Sequence, residues 1–372
     1  KGGFVETSAS QVKIHDSAVV STKSEQGQTG TWLIDPTDFT IYAGTGDKID
    51  TGMGADTLSG NLGNTDITIQ TVNTGSEQGD INVNAPISWS RNKLTLSAHN
   101  DIHINANLNG SGTAKLALEY GQGSKDGKYK AVVDGKETTL DNDYYLDKNT
   151  PLKDRTVKVN LPEGKNFSVK KGSNGETVVF DVIHKMPEII KNADGDWESE
   201  FTERNIAFGA DMDVGYTKGY DGFAGWQLEN DSPFEWGRVA GLGHTVKGLS
   251  LHSKKDNQHT GLFQNQRDNA GYLRDIGVID VNVRSDGNNS FTGGLVGGYG
   301  YNISNSYATG NVSSAGEGAH TGGLAADGYN ISNSYATGNV SSAGEGAHTG
   351  GLAADGYNIS NSYATGNVSS AG

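Results

Sequence analysis

Residues 301–328 read YNISNSYATGNVSSAGEGAHTGGLAADG, and the same 28 residues follow without a change at 329–356. Residues 357–372 repeat the first 16 of them. A unit of this length cannot bury an apolar face by itself, so it becomes stable by stacking on its own copies. The repeat therefore predicts a solenoid, an architecture more typical of a binding or spacing device than of a catalyst.

Alternation within one copy predicts which side chains point into the solenoid. The positions expected inside are Ile303, Ala308, Val312 and Leu324. Corners are expected at 305–306 and 316–318. Stacked coils, at roughly 22–28 residues each, lie about 4.8 Å apart, so identical side chains should form ladders. We expect an outward ladder of Tyr307, Tyr335 and Tyr363, and an inward amide ladder of Asn302, Asn330 and Asn358.

The rest of the chain divides into segments of different composition. Residues 1–120 alternate with period two in short runs, which predicts β-helix coils. Residues 121–204 are rich in charge and predict coils decorated by extra-helical loops or a hairpin, with the best helix candidate at 187–204. Residues 205–300 predict β-helix with degenerate Gly-Leu repeats, and 301–372 hold the perfect repeats.

Composition excludes some classes of function. The net charge is −15 and no Lys/Arg cluster is present, which argues against nucleic-acid binding. No apolar run is long enough to span a bilayer. Cysteine is absent, which is compatible with export in an unfolded state. The chain begins KGGFVETSAS and stops within a repeat, so we expect an internal piece of a longer protein.

Several strings resemble one family. WLIDPTDFTI (32–41), DITIQT (66–71), GDINVNAPISWSRNKLTLSA (79–98) and VNLPEGKNFSVKKGSNG (159–175) resemble the filamentous-haemagglutinin-like, high-molecular-weight adhesins exported by two-partner secretion in Gram-negative bacteria. GLGHTVKGLSL (241–251), GGLVGG (293–298) and NSYATGNV (305–312) resemble the GLUG-type repeats of these adhesins and of some secreted peptidases. The charged stretch 125–153 departs from the family.

The resemblance implies a right-handed parallel β-helix exposed on the cell surface, where it adheres to host cells or sister bacteria. It also implies an outer-membrane two-partner secretion transporter, and a cytoplasmic Asn-glycosyltransferase in some members. Ten N-x-S/T sequons are candidates for modification, although an Asn- and Ser-rich chain also produces sequons by chance. They are Asn109, Asn166, Asn230, Asn288, Asn302, Asn311, Asn330, Asn339, Asn358 and Asn367.

Metal chemistry has weak support in the sequence. Residues 51–58 read TGMGADTL, close to one unit of a calcium β-roll from Gly52 to Asp56, and 43–50 are a poor second copy. The alternative is a Gly/Asp turn followed by a short helical turn at 58–62. His320 and His348 recur with the repeat, and we interpret them as a corner feature. No metal site and no cofactor are assigned.

One acidic region suggests carbohydrate chemistry. Polysaccharide-cleaving β-helix enzymes use paired acids with aromatics beside them. The candidate acids are Asp211, Asp213, Asp221, Glu229 and Asp231, and the candidate aromatics are Tyr216, Tyr220, Trp226 and Trp236. The alternatives are a solvated acidic loop, or a non-catalytic glycan contact made by Asp211, Asp213 and Trp226.

The leading hypothesis is a non-catalytic surface adhesin without catalytic residues. Its partner would be a glycan or protein receptor of a host cell, contacted through a long repetitive face on which the three Tyr side chains stack on sugar rings. The first alternative is a β-helix polysaccharide lyase or hydrolase. The second is a structural stalk spacer, with recognition located elsewhere.

Overall fold

A computed structural model describes residues 1–44, 51–73, 75–228, 237–266 and 270–371. The chain forms two compact units, which we call unit 1 (Lys1–Val182) and unit 2 (Ile183–Gly372). Each is described by itself. Both are all-β, and long parallel sheets of stacked coils make the fold a parallel β-helix. Among the described residues, no helix has the length and apolar character needed to cross a membrane.

Unit 1 contains one α-helix, α1 (Ala55–Leu62), one 3-10 turn (Leu152–Asp154) and seventeen described strands. The strands are β1 (Phe4–Ser8), β2 (Thr31–Asp35), β3 (Phe39–Tyr42), β4 (Gly52–Gly54), β5 (Asp66–Gln70), β6 (Ile81–Val83), β7 (Ile87–Trp89), β8 (Lys93–Ser97), β9 (Ile102–Ile104), β10 (Leu108–Gly110), β11 (Lys115–Tyr120), β12 (Lys128–Val133), β13 (Lys136–Asp141), β14 (Tyr144–Leu146), β15 (Val159–Asn160), β16 (Gly164–Lys171) and β17 (Val178–Ile183).

Three sheets run along the coils of unit 1. Their orders are β1-β2-β5-β8-β11-β16-β17, β14-β9-β6-β3-β4 and β15-β10-β7. All pairings are parallel except β16–β17, which is antiparallel. Ile67, Leu94, Leu116 and Phe167 occupy equivalent positions on four coils, each at most 1% exposed. The apolar positions of the alternating pattern therefore stack into one continuous core.

Coil length in unit 1 varies more than the sequence predicts. Leu94 pairs with Leu116, 22 positions later, but Leu116 pairs with Phe167, 51 positions later. The long coil carries the antiparallel hairpin β12–β13, whose residues are mostly exposed. The predicted hairpin in the charged middle segment is thereby confirmed. The extra residues form loops outside the coil, because the strands of each coil must match those of the next coil in order to pair with them.

Unit 2 contains a 3-10 helix (Gly215–Gly219) and twenty-one described strands. They are β18 (Ile190–Lys191), β19 (Trp197–Glu198), β20 (Asn205–Phe208), β21 (Met212–Asp213), β22 (Arg238–Ala240), β23 (Thr245–Lys247), β24 (Ser250–Ser253), β25 (His259–Thr260), β26 (Tyr272–Arg274), β27 (Gly277–Ser285), β28 (Phe291–Gly293), β29 (Val296–Ser304), β30 (Tyr307–Ser314), β31 (His320–Gly322), β32 (Ala325–Ser332), β33 (Tyr335–Thr337), β34 (Val340–Ser342), β35 (His348–Gly350), β36 (Ala353–Ser360), β37 (Tyr363–Thr365) and β38 (Val368–Ser370).

The coils of unit 2 also build three parallel sheets. Their orders are β20-β22-β26-β29-β32-β36, β21-β23-β27-β30-β33-β37 and β25-β28-β31-β35. β24 pairs with β27, and β34 lies between β30 and β38. One hydrophobic cluster runs through the interior. Each sheet is buried on its inner side by the other two, which is what makes parallel pairing stable here.

The perfect copies stack one coil each, as the repeat predicts. Ile303 pairs with Ile331, and Ile331 with Ile359, so residues one copy apart are neighbours in the sheet. All four positions predicted inside are at most 1% exposed in the first copy. Asn302 and Asn305 have positive φ values of 51° and 47°, and their equivalents repeat them. Asn tolerates this left-handed conformation better than most residues, which explains its place at the corners.

The helix predicted at 187–204 is wrong. β18 and β19 form an antiparallel hairpin there. Asn192 Oδ1 accepts hydrogen bonds from the backbone N–H groups of Asp194 and Asp196, and Gly195 has φ of +84°. Asn side chains stabilise turns by bonding the backbone ahead of them, and Gly supplies positive φ at no steric cost. Turn chemistry therefore overrides the weak helical pattern.

Candidate functional site

The Tyr ladder of the perfect copies exists. Tyr307 and Tyr335 stack with ring centroids 4.9 Å apart and 7° between their planes, and Tyr335 and Tyr363 stack at 5.2 Å and 10°. Tyr335 is 7% exposed because both faces of its ring are covered by its neighbours. The Tyr307 ring lies against Gly277. The ladder therefore leaves ring edges for contact, and a sugar cannot stack on the face of Tyr335 unless the ladder opens.

An uncharged polar strip runs beside the Tyr ladder. We call it the polar face; it consists of Thr309, Asn311 and Ser313, with their equivalents Thr337, Asn339, Ser341, Thr365, Asn367 and Ser369. Asn311 Oδ1 accepts a hydrogen bond of 3.1 Å from the backbone N–H of Asn339, and Asn339 repeats this to Asn367. All three Asn are exposed. The polar face thus presents the same hydroxyl and amide groups once per coil.

The second Asn ladder forms, but it lies on the outside. Asn330 Nδ2 donates to Asn302 Oδ1 at 3.1 Å, and Asn358 Nδ2 donates to Asn330 Oδ1 at 3.0 Å. Asn302 is half-buried, and Asn330 and Asn358 are exposed. The expectation of an inward amide ladder is wrong because the positive φ at these corners breaks the strand alternation from which parity was inferred.

Histidine and aspartate meet across one corner of the repeat. His320 lies on β31 and Asp327 on β32, separated by the tight corner at Gly322 and Gly323. His320 Nδ1 donates to Asp327 Oδ1 at 2.9 Å and lies 3.2 Å from Asp355 Oδ2. The hydrogen bond to Asp327 raises the pKa of His320 against the opposing effect of burial, and the charge of Asp355 adds to the increase. The recurrence of His in the repeat does not by itself predict these acids, which approach His320 only in the folded coils.

The same corner recurs one coil later. His348 stacks on His320 at 4.5 Å between ring centroids with 8° between planes, and its Nδ1 lies 3.3 Å from Asp355. In the preceding degenerate coil Phe291 occupies the His position and Tyr299 the Asp position. The His–Asp pair is therefore found in the perfect copies and is replaced by two aromatic residues in the coil before them.

The described residues around residue 211 do not form the expected carbohydrate site. Trp226 is 0% exposed and donates its Nε1–H to Pro187 O at 2.9 Å. Asp211 Oδ1 accepts from His244 Nδ1 at 2.9 Å and from the Thr245 backbone. Trp226 as a ligand contact is thus wrong, since an aromatic side chain of the core cluster is not available at the surface.

The other described acids of that region also have partners. Asp213 Oδ1 accepts from Gly215 N at 2.9 Å, and Asp221 forms an ion pair with Lys254 and lies 3.6 Å from His252 Nδ1. Glu229, Asn230, Asp231 and Trp236 lie outside the described residues. Asp211 and Asp213 are exposed; Asp213 stabilises its own loop, and Asp211 connects its loop to the next coil.

The calcium β-roll is wrong for residues 51–58. Gly52–Gly54 form strand β4, and α1 begins at once with Ala55. Asp56 is exposed in the first turn of the helix, where a carboxylate is favoured by the positive end of the helix dipole. The alternative helical turn is confirmed and starts three residues earlier than predicted. The poor second copy of the motif, residues 43–50, lies outside the described residues except for 43–44.

None of the described sequons is buried. Asn109, Asn166 and Asn302 are half-buried, and the other described sequon residues are exposed. Their hydrogen bonds differ in a way that matters for glycosylation, which attaches sugar to Nδ2. Asn330 uses Nδ2 in its ladder, whereas Asn311 and Asn339 use Oδ1. The polar face therefore presents its Nδ2 atoms outside the ladder bonds.

Unit 1 holds a polar cavity of about 270 Å³ beside the exposed hairpin. Its lining includes four amides, one imidazole and one phenol: Asn73, Gln78, Asn100, Asn142, His99 and Tyr129. No motif in the sequence predicts this cavity, because its residues come from three different coils. Since it is built from loops that are not repeated, it offers a single contact and not a series.

An aspartate ladder supports this cavity. Asp80 Oδ1 accepts from the backbone N–H of Asp101 at 2.9 Å, and Asp101 Oδ1 accepts from that of Asp143 at 3.0 Å. Each carboxylate thus holds the start of the next coil's strand. Burial raises the pKa of Asp101. Burial also acts on Asp80, but hydrogen bonds, above all from His103, outweigh it and lower the pKa of that carboxyl.

The fold and these surfaces define a class: a β-solenoid repeat protein with side-chain ladders on its outer faces. One family model, the GLUG motif, matches residues 288–313. This stretch covers β28, β29 and most of β30, so the predicted GLUG-type repeats are confirmed there. No curated protein and no solved structure matches the chain.

Proposed function

We propose that this chain is a non-catalytic adhesive segment of a bacterial surface protein, which binds glycans on host cells or neighbouring bacteria through the polar face of unit 2. The observation that carries the proposal is the repetition of Thr, Asn and Ser side chains at one-coil spacing. From Asn288 onward the sequence has no Lys or Arg. Hydroxyl and amide groups without cations suit neutral, hydroxyl-rich ligands.

Repetition makes weak contacts effective. One Thr–Asn–Ser set offers a few solvent-exposed hydrogen bonds, each worth about 1 kcal/mol or less in net terms. A glycan with repeating units can engage several sets at once, and the second contact is then intramolecular. Identical coils supply such a series without any further specific site.

The local roles of the acids support a non-catalytic function. Glycoside cleavage needs two carboxyls held at a defined separation across a sugar. Asp213 instead binds a backbone N–H group of its own loop and Asp211 one of the next coil, and the aromatic expected beside them, Trp226, is in the core.

Export completes the proposal. The resemblance to two-partner secretion adhesins, the GLUG match and the absence of cysteine support a secreted, cell-surface protein served by an outer-membrane transporter. A cytoplasmic Asn-glycosyltransferase would act on exposed sequons such as Asn288. Sugar on Asn339 would cover the polar face, so peptide mass spectrometry of the native protein should find that residue unmodified.

The repeat itself provides the test. Deleting residues 329–356 removes one copy and rejoins identical sequence, so the remaining coils keep their register. A second variant, Thr309→Val, Thr337→Val and Thr365→Val, removes one hydroxyl per coil at nearly constant shape. The matched control, Ser304→Ala, Ser332→Ala and Ser360→Ala, removes a hydroxyl series from another sheet.

Binding of each purified protein to a glycan array and to epithelial cells is measured. We expect the deletion and the Thr variant to lose on the order of tenfold in apparent affinity, since lost contacts multiply in multivalent binding, while the Ser control binds normally. Equal binding by all folded variants would contradict the proposal and favour a spacer. Glycan cleavage abolished by Asp211→Asn would favour the enzyme instead.

A further inference from the structure

Three groups with metal-ligand chemistry converge between the two perfect corners of unit 2. His320, His348 and Asp355 each offer one ligand atom, and these atoms all lie within 4.8 Å of one another. Asp355 Oδ2 stands 3.2 Å from His320 Nδ1 and 3.3 Å from His348 Nδ1. The carboxylate therefore lies between two imidazole nitrogens that belong to successive coils.

These distances suit a tetrahedral cation. Zn²⁺ bonds to His nitrogen and carboxylate oxygen at about 2.0–2.1 Å, which places neighbouring ligand atoms roughly 3.3 Å apart. Two imidazoles and a carboxylate form a donor set that zinc uses, with the fourth position left to water. The two imidazole nitrogens must move closer together to bind the same cation, which requires a tilt of the His348 ring. The His348 side chain is 54% exposed and has room to tilt.

The surroundings complete a binding environment. Asp327, with its side chain 8% exposed, contacts His320 and adds a second negative charge. On the other side the Phe291 ring lies 4.7 Å from the His320 ring and forms an apolar floor. Apolar walls around the ligands, which control the access of solvent, are usual around a metal site. Exposed His348 and Asp355 give a path for entry.

We propose that His320, His348 and Asp355 bind a divalent cation of the zinc type, shared between two successive repeats. The cation replaces the proton at His320 Nδ1 and joins neighbouring coils at their corner. Every two further perfect copies would add one equivalent site, because a site takes one His from each of two coils and each Nδ1 has a single lone pair for a cation. This inference does not depend on glycan binding.

Isothermal titration with Zn²⁺ tests the proposal, and Co²⁺ absorption reports the coordination geometry. We expect one Zn²⁺ per chain, a tetrahedral Co²⁺ spectrum and no binding of Ca²⁺, which prefers six to eight oxygen ligands. Asp355→Asn keeps the shape and should weaken Zn²⁺ binding at least about tenfold. His348→Ala should do the same. Glu345→Gln is the matched control from the same repeat and should bind as the native chain does.

The number of perfect copies provides an independent test, because it sets the number of sites expected. A variant with two additional copies of residues 329–356 has four stacked His side chains and should bind two Zn²⁺ ions, and the variant from which residues 329–356 are deleted should bind none. Unchanged stoichiometry across the three proteins, or native affinity in Asp355→Asn, would overturn the proposal. Octahedral Co²⁺ with equal loss in Glu345→Gln would mean nonspecific binding to acidic side chains, which also overturns it.

Discussion

For a single residue, the ladders show that each side chain packs against the equivalent side chain on the next coil. Tyr, Asn and His gain ring stacking or amide hydrogen bonds when repeated. An acid repeated at this spacing would repel itself unless it bonds a neutral group. The Asp ladder of unit 1 solves this because each carboxylate binds the backbone N–H of the next coil.

Asp101 allows this role to be tested. Asp101→Ala removes the acceptor for the Asp143 N–H and should cost about 1–3 kcal/mol, the usual effect of leaving a buried donor unpaired. Asp101→Asn keeps that acceptor and removes a buried charge, so its free energy of unfolding at pH 7 should equal or exceed the native value. Urea denaturation measures both; equal losses would contradict the assignment.

The pH dependence has a defined sign. The pKa of Asp101 is raised in the folded state by burial, so its ionised form costs stability above that pKa. The cost is relieved as pH falls towards the unfolded value of about 3.9. In that window the native chain should gain stability relative to Asp101→Asn. Asp80 and His103 are its charged neighbours, and both variants retain them.

At the element scale, glycine marks where coils approach closely and where they do not. A Cβ on Gly323 would stand 2.2 Å from Gly351 O, whereas one on Gly60 in α1 would meet nothing within 4 Å. Gly323→Ala should therefore destabilise unit 2 by more than about 1 kcal/mol. Gly60→Ala should stabilise unit 1 by about 0.5–1 kcal/mol, since Gly costs that much inside a helix. Thermal melts that rank the two variants in the opposite order would contradict the register.

Elements that follow from periodicity were predictable, whereas the conformation of residues 190–198 and the burial of Trp226 were not. The alternating runs and the inward residues of the repeat are confirmed because each apolar residue has an apolar neighbour one coil away. The hairpin at 190–198 was mistaken for a helix, since Asn192 and Gly195 decide it through local hydrogen bonding and φ. Trp226 was assigned to the surface because burial depends on neighbours distant in sequence.

At the scale of the whole molecule, each of the two units has three mainly parallel sheets around a stacked core. Extra residues lie mostly in loops and hairpins outside the coils. The candidate surfaces could be predicted in part, since a ladder follows from any perfect repeat. The His–Asp corner could not, because it requires knowing that residues seven positions apart meet across Gly322 and Gly323. Handedness of the coil stays a prediction.

Residues 28 positions apart in the perfect repeats are direct neighbours on adjacent coils. The chain has no cysteine, so any disulfide found in a double-cysteine variant must join the two introduced residues. Ser313 pairs with Ser341, and Ser341 with Ser369, and adjacent strands lie about 4.8 Å apart, within disulfide reach. Mild oxidation followed by mass spectrometry should give an intramolecular disulfide in Ser313→Cys/Ser341→Cys and none in Ser313→Cys/Ser369→Cys, which spans two coils. Failure of the first pair, or equal bridging of the second, would contradict the stacked-coil account.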